Sequence, residues 1–274
     1  MTAITVLVEN TSCSASLREE HGLSLLVTHN GETVLFDTGA SDAFLTNAAA
    51  LGCDLSLVST LALSHGHWDH TGGLARALAF FAQKASLPQV VFHPDVLLSR
   101  RRDAQSAAKS GARDLGMPEE AKALLERFPC IVSKDPVRIA EGLLWLGEVP
   151  RPDAATTALL GEVLRDGAYE KDSLLDDTAF VCVAPEGLNI IVGCAHAGII
   201  NTVERAKAVT GVSRVNALIG GLHTKGATAP VIEAITRYLA KESIPHLYAC
   251  HCSGDEMVKA GLGKTLRGGE SLIV

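Results

Sequence analysis

Residues 60–74 read Thr-Leu-Ala-Leu-Ser-His-Gly-His-Trp-Asp-His-Thr-Gly-Gly-Leu. An apolar run, Leu57 to Leu63, leads in, and a helix-like run, Thr71 to Phe81, leads out. The pattern is strand, loop and helix, with His65, His67, Asp69 and His70 on the loop. In extended chain, residues two apart project to the same side, so His65, His67 and Asp69 can converge. His70 reaches the same region as the chain turns into the helix. Gly66 and the Gly72-Gly73 pair permit backbone angles that bulkier residues resist. Imidazoles with a carboxylate suit Zn, Mn or Fe. The plain alternative is a polar loop that happens to be rich in histidine.

The rest of the chain must support such a loop. Strands are expected at 3–9, 22–29 and 33–36, with Asn30-Gly31 as a hairpin turn. A helix over 41–51 and a strand over 55–63 lead to the loop. Further strands are expected at 90–93, 131–132, 143–148, 180–184, 188–192, 215–219, 246–249 and 271–274. Helices are expected at 200–210, 230–241 and 255–262. No repeat or linker interrupts them. Two runs of strands, each interleaved with helices, favour one domain over 1–274. Its expected architecture is α/β, a four-layer αββα sandwich of two mixed β-sheets with helices outside. A doubly wound parallel sheet is the alternative, and the early hairpin weighs against it. Residues 94–178 read as a pocket-lining insertion, helical or irregular over 95–128 and partly helical over 153–175.

Composition sets the limits. Hydrophobic residues make up 47% and aromatic residues 4%, so a substantial core must be mainly aliphatic. The net charge of -7 opposes nucleic-acid binding. The consecutive Arg100, Arg101 and Arg102 read as a solvated helix face. No apolar run approaches the ~20 residues a membrane span needs. The N-terminal stretch reads as a strand rather than a signal peptide. Seven scattered cysteines without a Cys-x-x-Cys pair suggest reduced thiols and a cytoplasmic protein.

Four more residues share a position. Asp37, His196, His223 and His251 each stand at or just past the end of an apolar strand, near glycine. Such ends hold functional side chains on a rigid scaffold. Arg151, between two prolines, is a candidate for bidentate binding of a substrate phosphate or carboxylate. Asp176 and Asp177 read as strand caps or solvent-facing, and Cys194 and Cys252 as small packing residues. His93 reads as structural. His21, His29 and His246 carry no signal beyond turn or surface positions.

The His-x-His-x-Asp-His loop, with Leu-Phe-Asp-Thr-Gly before it and Gly-x-x-His-x-Gly after it, resembles the metallo-β-lactamase superfamily. The resemblance implies that His65, His67 and His196 hold one metal ion, and that Asp69, His70 and His251 hold a second. It gives Asp37 a supporting hydrogen bond to a ligand histidine. The chain departs from the pattern at the fourth motif. There the family has a bridging aspartate, but this strand ends in Gly-Gly-Leu-His. A neutral imidazole bridges two ions poorly, so His223 would bind one metal or contact substrate. His67 stands where flavodiiron relatives carry glutamate, which favours zinc. The later motifs resemble the subgroup labelled dihydropteroate-synthase-related or ribofuranosyl-aminobenzene 5'-phosphate synthase-like.

The expectation is therefore a metal-dependent hydrolase with two divalent ions. Zn is the first choice, with Mn or Fe, or single occupancy, as alternatives. Bound metal would lower the pKa of water towards ~7, giving hydroxide that attacks an ester, amide or phosphoester. Asp69 would orient that hydroxide, and His223 is the second catalytic candidate. The partner is a small molecule, phosphorylated in one reading, with no nucleic acid and no membrane. The rivals are a phosphoribosyl-type transferase of pterin-related metabolism and a non-catalytic ligand sensor.

Overall fold

Alternating β-branched residues near the N-terminus form β1 (Thr2–Val8), followed by β2 (Ser24–His29) and β3 (Glu32–Phe36). The β2–β3 hairpin turns on Asn30 and Gly31, with φ of 50° and 86°. Positive φ at both central residues matches the right-handed twist of the flanking strands. The structure is a computed structural model, and it describes residues 1–103 and 114–274. Helix α1 (Ala43–Ala50) leads to β4 (Val58–Ala62), whose end carries the histidine loop. Helices α2 (Trp68–Thr71) and α3 (Leu74–Phe81) follow, then β5 (Gln89–Phe92).

The middle of the chain supplies β6 (Arg100–Arg101), α4 (Glu119–Leu125), β7 (Cys130–Val132), β8 (Val137–Ala140) and β9 (Leu143–Trp145). The hairpin β10 (Glu162–Arg165) and β11 (Ala168–Lys171) comes next. The C-terminal part comprises β12 (Ala179–Ala184), β13 (Gly187–Val192), α5 (Ile199–Thr210), β14 (Val215–Gly220) and α6 (Ala229–Glu242). It closes with β15 (His246–Ala249), α7 (Glu256–Lys259), β16 (Lys264–Thr265) and β17 (Ser271–Ile273).

Two seven-stranded sheets result, ordered β17-β1-β2-β3-β4-β5-β7 and β16-β15-β14-β13-β12-β9-β8. Each is antiparallel over one part and parallel over the other. The parallel parts are β3-β4-β5-β7 and β13-β14-β15-β16. Three apolar cores define the layers. One packs α1, α3 and α4 on the outer face of the first sheet, and another packs α5 and α6 on the second. The third lies between the sheets, where the Phe36 and Phe180 rings meet at 6.2 Å. This is the expected αββα sandwich. Trp145 Nε1 donates to the Leu63 carbonyl at 3.1 Å, tying the second sheet to the chain just before the histidine loop.

The segment 94–178 differs from its sequence reading. Its strands β7, β8 and β9 extend the two main sheets, and β6, β10 and β11 form a small third sheet. Of the helical content expected over 95–128, residues 104–113 lie outside the described residues, and 153–175 is a 3-10 turn followed by a hairpin. Arg100 lies on a strand and is 1% exposed, so it is no part of a solvated helix face. Asp176 and Asp177 are both fully buried rather than facing solvent, and His29 is buried against Thr2. Among the described residues, no helix is long and apolar enough to cross a membrane.

Candidate metal centre

The parallel strands of both sheets end on the same side of the sandwich. From the first sheet, β3 delivers Asp37 and β4 delivers the 65–70 loop. From the second, β13 delivers Cys194 and His196, β14 delivers His223, and β15 delivers His251. The chain turns sharply at these ends. Asp37, Ala195, His223 and His251 have φ of 60°, 43°, 52° and 54°, left-handed values that L-residues adopt at a cost. Strain of this kind persists where the surroundings over-determine it, and it gathers at functional sites.

The histidines form one cluster. The ring of His65 lies 4.7 Å from His67, 4.3 Å from His70 and 4.9 Å from His196. His70 and His251 meet at 4.9 Å, and His223 stacks beside His196 at 4.4 Å. Nitrogen contacts are closer: His65 Nε2 to His67 Nδ1 is 3.0 Å, and His70 Nε2 to His251 Nε2 is 3.2 Å. Nitrogens bound tetrahedrally to one zinc at about 2.0 Å stand about 3.3 Å apart. Asp69 Oδ2 lies 3.4 Å from His251 Nε2 and 3.2 Å from His21 Nε2.

The surrounding hydrogen bonds select the tautomers. A carboxylate only accepts, so His70 Nδ1–H donates to Asp37 Oδ2 at 2.7 Å. The Ser64 hydroxyl donates to the same oxygen at 2.6 Å and accepts from His65 Nδ1–H at 2.9 Å. His251 Nδ1–H donates to Asn10 Oδ1 at 3.0 Å, and its backbone N–H donates to Glu9 Oε1 at 2.7 Å. The Nε2 atoms of His65, His70 and His251 are thereby turned towards the cluster. His67 Nε2 and both ring nitrogens of His196 are buried without a hydrogen-bond partner. Buried polar atoms are normally satisfied, so these orphaned nitrogens fit a site built for a cation. Among the described residues, three groups bring ligand atoms within 4.8 Å of one another: His65 with Cys194 and His196, His70 with Cys194 and His251, and His21 with Asp69 and His251.

Electrostatics follow burial. Desolvation, together with neighbouring histidine charge, holds His65 and His196 well below the usual imidazole range. Burial takes His67 down to about 3 and His251 to about 4. Burial also lowers His223. His70 is the exception. Burial would lower it too, but the Asp37 charge and hydrogen bond outweigh this and raise it to about 9. Burial opposes ionisation of Asp69, yet a hydrogen bond from His21 and the positive charge of His70 hold it well below the usual carboxylate range. Neutral His65, His67, His196 and His251 beside an ionised carboxylate are the protonation states a metal requires, and His70 would give up its Nε2 proton on binding one.

Behind the loop, Arg100 donates from Nε to Asp172 at 2.7 Å and from Nη2 to Asp176 Oδ1 at 2.7 Å. Asp176 Oδ2 accepts from the Gly66 backbone at 2.8 Å. A Cβ on Gly66 would stand 2.3 Å from Arg100 Nη1, so only glycine lets this brace approach. Asp177 accepts from Ala197 N at 2.8 Å, which fixes the turn carrying His196.

A cavity of about 190 Å³ opens onto the cluster, with Arg102, Leu115, Leu160 and Lys225 in its wall alongside His196 and His223. Arg102, Leu115 and Leu160 come from the segment expected to line the pocket. Arg151 is elsewhere: its guanidinium donates to the carbonyls of Ser173 and Leu174, and among the described residues the cations of the wall are Arg102 and Lys225. Sequence reasoning missed Asn10, His21 and the position of Cys194. Asn10 opens a polar loop expected to border something, and only the fold brings it to His251.

A model of the metallo-β-lactamase superfamily matches residues 17–161. A 7,8-dihydropterin-6-methyl-4-(β-D-ribofuranosyl)-aminobenzene-5'-phosphate synthase from Methanocaldococcus jannaschii is 28% identical over 244 residues, covering 86% of this chain and 81% of the relative. The crystal structure of Tm1679, described as a metal-dependent hydrolase of the β-lactamase superfamily, superposes with a TM-score of 0.82 at 28% identity, covering 100% of this chain and 99% of that one. Zn(2+)-bound PqqB from Methylobacterium extorquens shares the fold at 14% identity and a TM-score of 0.59, over 99% and 100% of the two chains.

Proposed function

The chain belongs to the metallo-β-lactamase superfamily, and from that premise we propose that it is a metal-dependent hydrolase of a small, anionic and preferably phosphorylated molecule. The observation that carries this reading is the set of buried, partnerless ring nitrogens on His67 and His196, inside a cluster of otherwise oriented histidines. His65, His67 and His196 would hold one divalent ion, and Asp69, His70 and His251 a second, with zinc preferred by the donor set. Metal held there would acidify water and polarise an acyl or phosphoryl oxygen.

The chain's own residues do the rest. Asp37 and Asn10 keep a proton on Nδ1 of His70 and His251, so that each Nε2 faces inward. Asp69, ionised at neutral pH, can accept a proton from a nucleophile positioned beside it. His223, neutral at the same pH, faces the cavity beside His196 and can hydrogen-bond substrate. Arg102 and Lys225 supply positive charge for a phosphate or carboxylate in a chain whose net charge is -7. The test is hydrolysis of a panel of phosphate mono- and diesters and carboxylic esters by protein stripped of metal and then reloaded. Activity should vanish on stripping and return with the metal, and full activity in the metal-free protein would sink the reading.

A second reading is transfer rather than hydrolysis. It is favoured by Arg102 and Lys225 in the wall together with the synthase relative. In it a nucleophilic acceptor replaces water at the same site. A phosphorylated ribose donor and an aminobenzoate acceptor separate the two: a coupled product means transfer, and free sugar phosphate alone means hydrolysis.

A further inference from the structure

The loop after β14 offers no carboxylate to link two ions, yet the two halves of the cluster do share an atom. Cys194 follows β13 and is 3% exposed. Its Sγ belongs with His65 and His196 in one group of ligand atoms and with His70 and His251 in another. It is the one atom common to both groups, and it lies 3.2 Å from His70 Nε2. From these contacts we propose that Cys194, as a thiolate, bridges the two metal ions in place of the missing carboxylate.

Three observations support this. First, a thiolate sulfur carries several lone pairs and can bind two ions at once, which no single imidazole nitrogen can do. Second, His196 is 1% exposed and both its ring nitrogens lack a partner, so the group that includes Cys194 and His65 is short of a cation rather than filled by protein. Third, the start of the β14 loop is packed closed. A side chain at Gly221 would meet Cys252 Sγ at 2.6 Å and the Cys194 backbone at 3.4 Å. Charge also favours the assignment. Two divalent ions would otherwise face one carboxylate, Asp69, among neutral imidazoles. When metal binds, the S–H bond breaks, its electron pair becomes the metal–sulfur bond, and the proton leaves to solvent. Cys252 is the competing thiol. Its Sγ is turned towards the Cys194 carbonyl at 3.7 Å, and it shares no ligand group with the histidines among the described residues.

The proposal rests on the cluster being a metal centre, and the experiment separates the two claims. X-ray absorption of the zinc-loaded full chain should find both ions with one sulfur neighbour at about 2.3 Å. Cobalt-loaded protein should give a near-ultraviolet thiolate-to-cobalt band and magnetic coupling between the ions. Both signals should be lost in Cys194→Ser and kept in Cys252→Ser. Two bound ions with no sulfur neighbour, sulfur on only one ion, or a band that follows Cys252 would each overturn the bridge and leave the metal centre standing. A wild-type chain that takes up no metal overturns both. The absorption measurement needs no variant, so a misfolded Cys194→Ser protein does not block the decision.

Discussion

The Asp37 carboxylate stands 2.7 Å from Nδ1 of His70, with both side chains fully buried. Asp37 follows β3, and His70 lies in the helix-starting turn after β4, so this bond clamps the ends of adjacent parallel strands. It also decides which nitrogen of His70 is left for the cluster.

Asp37→Asn should weaken metal binding ~10–100-fold, as loss of a group that orients a ligand histidine does. Asparagine tolerates the left-handed backbone at this position, where φ is 60°. The variant therefore tests the charge rather than the turn. Competition with a chromophoric chelator measures the change, and unchanged affinity would remove Asp37 from the site.

Arg100 neutralises two buried aspartates and braces Gly66 through Asp176. Arg100→Ala strands both carboxylates, and breaking a buried pair in this way costs ~3–5 kcal/mol. Denaturant midpoints should fall accordingly, and Gly66→Ala should be destabilised too because its Cβ meets the Val96 carbonyl at 2.6 Å.

The metal-free protein should be most stable near the imidazole pKa of about 6.5. Below it, the unfolded chain binds protons that buried His65, His67, His196 and His251 refuse, so stability falls as the pH drops towards about 4. Asp177 opposes this with one proton, because burial keeps it protonated up to about 7. His70 governs the other side: its contribution is complete below 6.5 and is lost as the pH rises through about 9. Melting temperatures in chelator across this range check the curve, which should fall more steeply on the acid side. A maximum well below pH 6 would contradict it.

Arg102→Gln and Lys225→Gln should each weaken inhibition by inorganic phosphate ~10-fold, roughly the loss of one charge-assisted hydrogen bond. KM for an anionic substrate should rise more than kcat falls. Inhibition by phosphate that ignores both changes would point away from a phosphorylated substrate.

Much of the scaffold was legible because its strands are short apolar runs that end in glycine or turn residues. A run such as β13, buried along its whole length, announces itself. The segment 94–178 does not. Every residue of β11 is exposed and the strand exists through pairing with β10, which no hydrophobic pattern records. The ligand-type histidines could be read from their spacing and their places at strand ends. Arg100 could not be matched to Asp172 and Asp176 in this way, because tertiary packing alone joins them. Cys194 was hidden for another reason. A cysteine two residues before a candidate ligand histidine looks like packing until the fold sets its sulfur between two groups of nitrogens.

Metal content per chain, measured on purified wild type and His196→Ala together with activity before and after chelation, tests the account most directly. Two divalent ions per wild-type chain, loss of metal in the variant and activity that follows the metal are the predicted results. Wild-type protein that works at full rate without metal would contradict it.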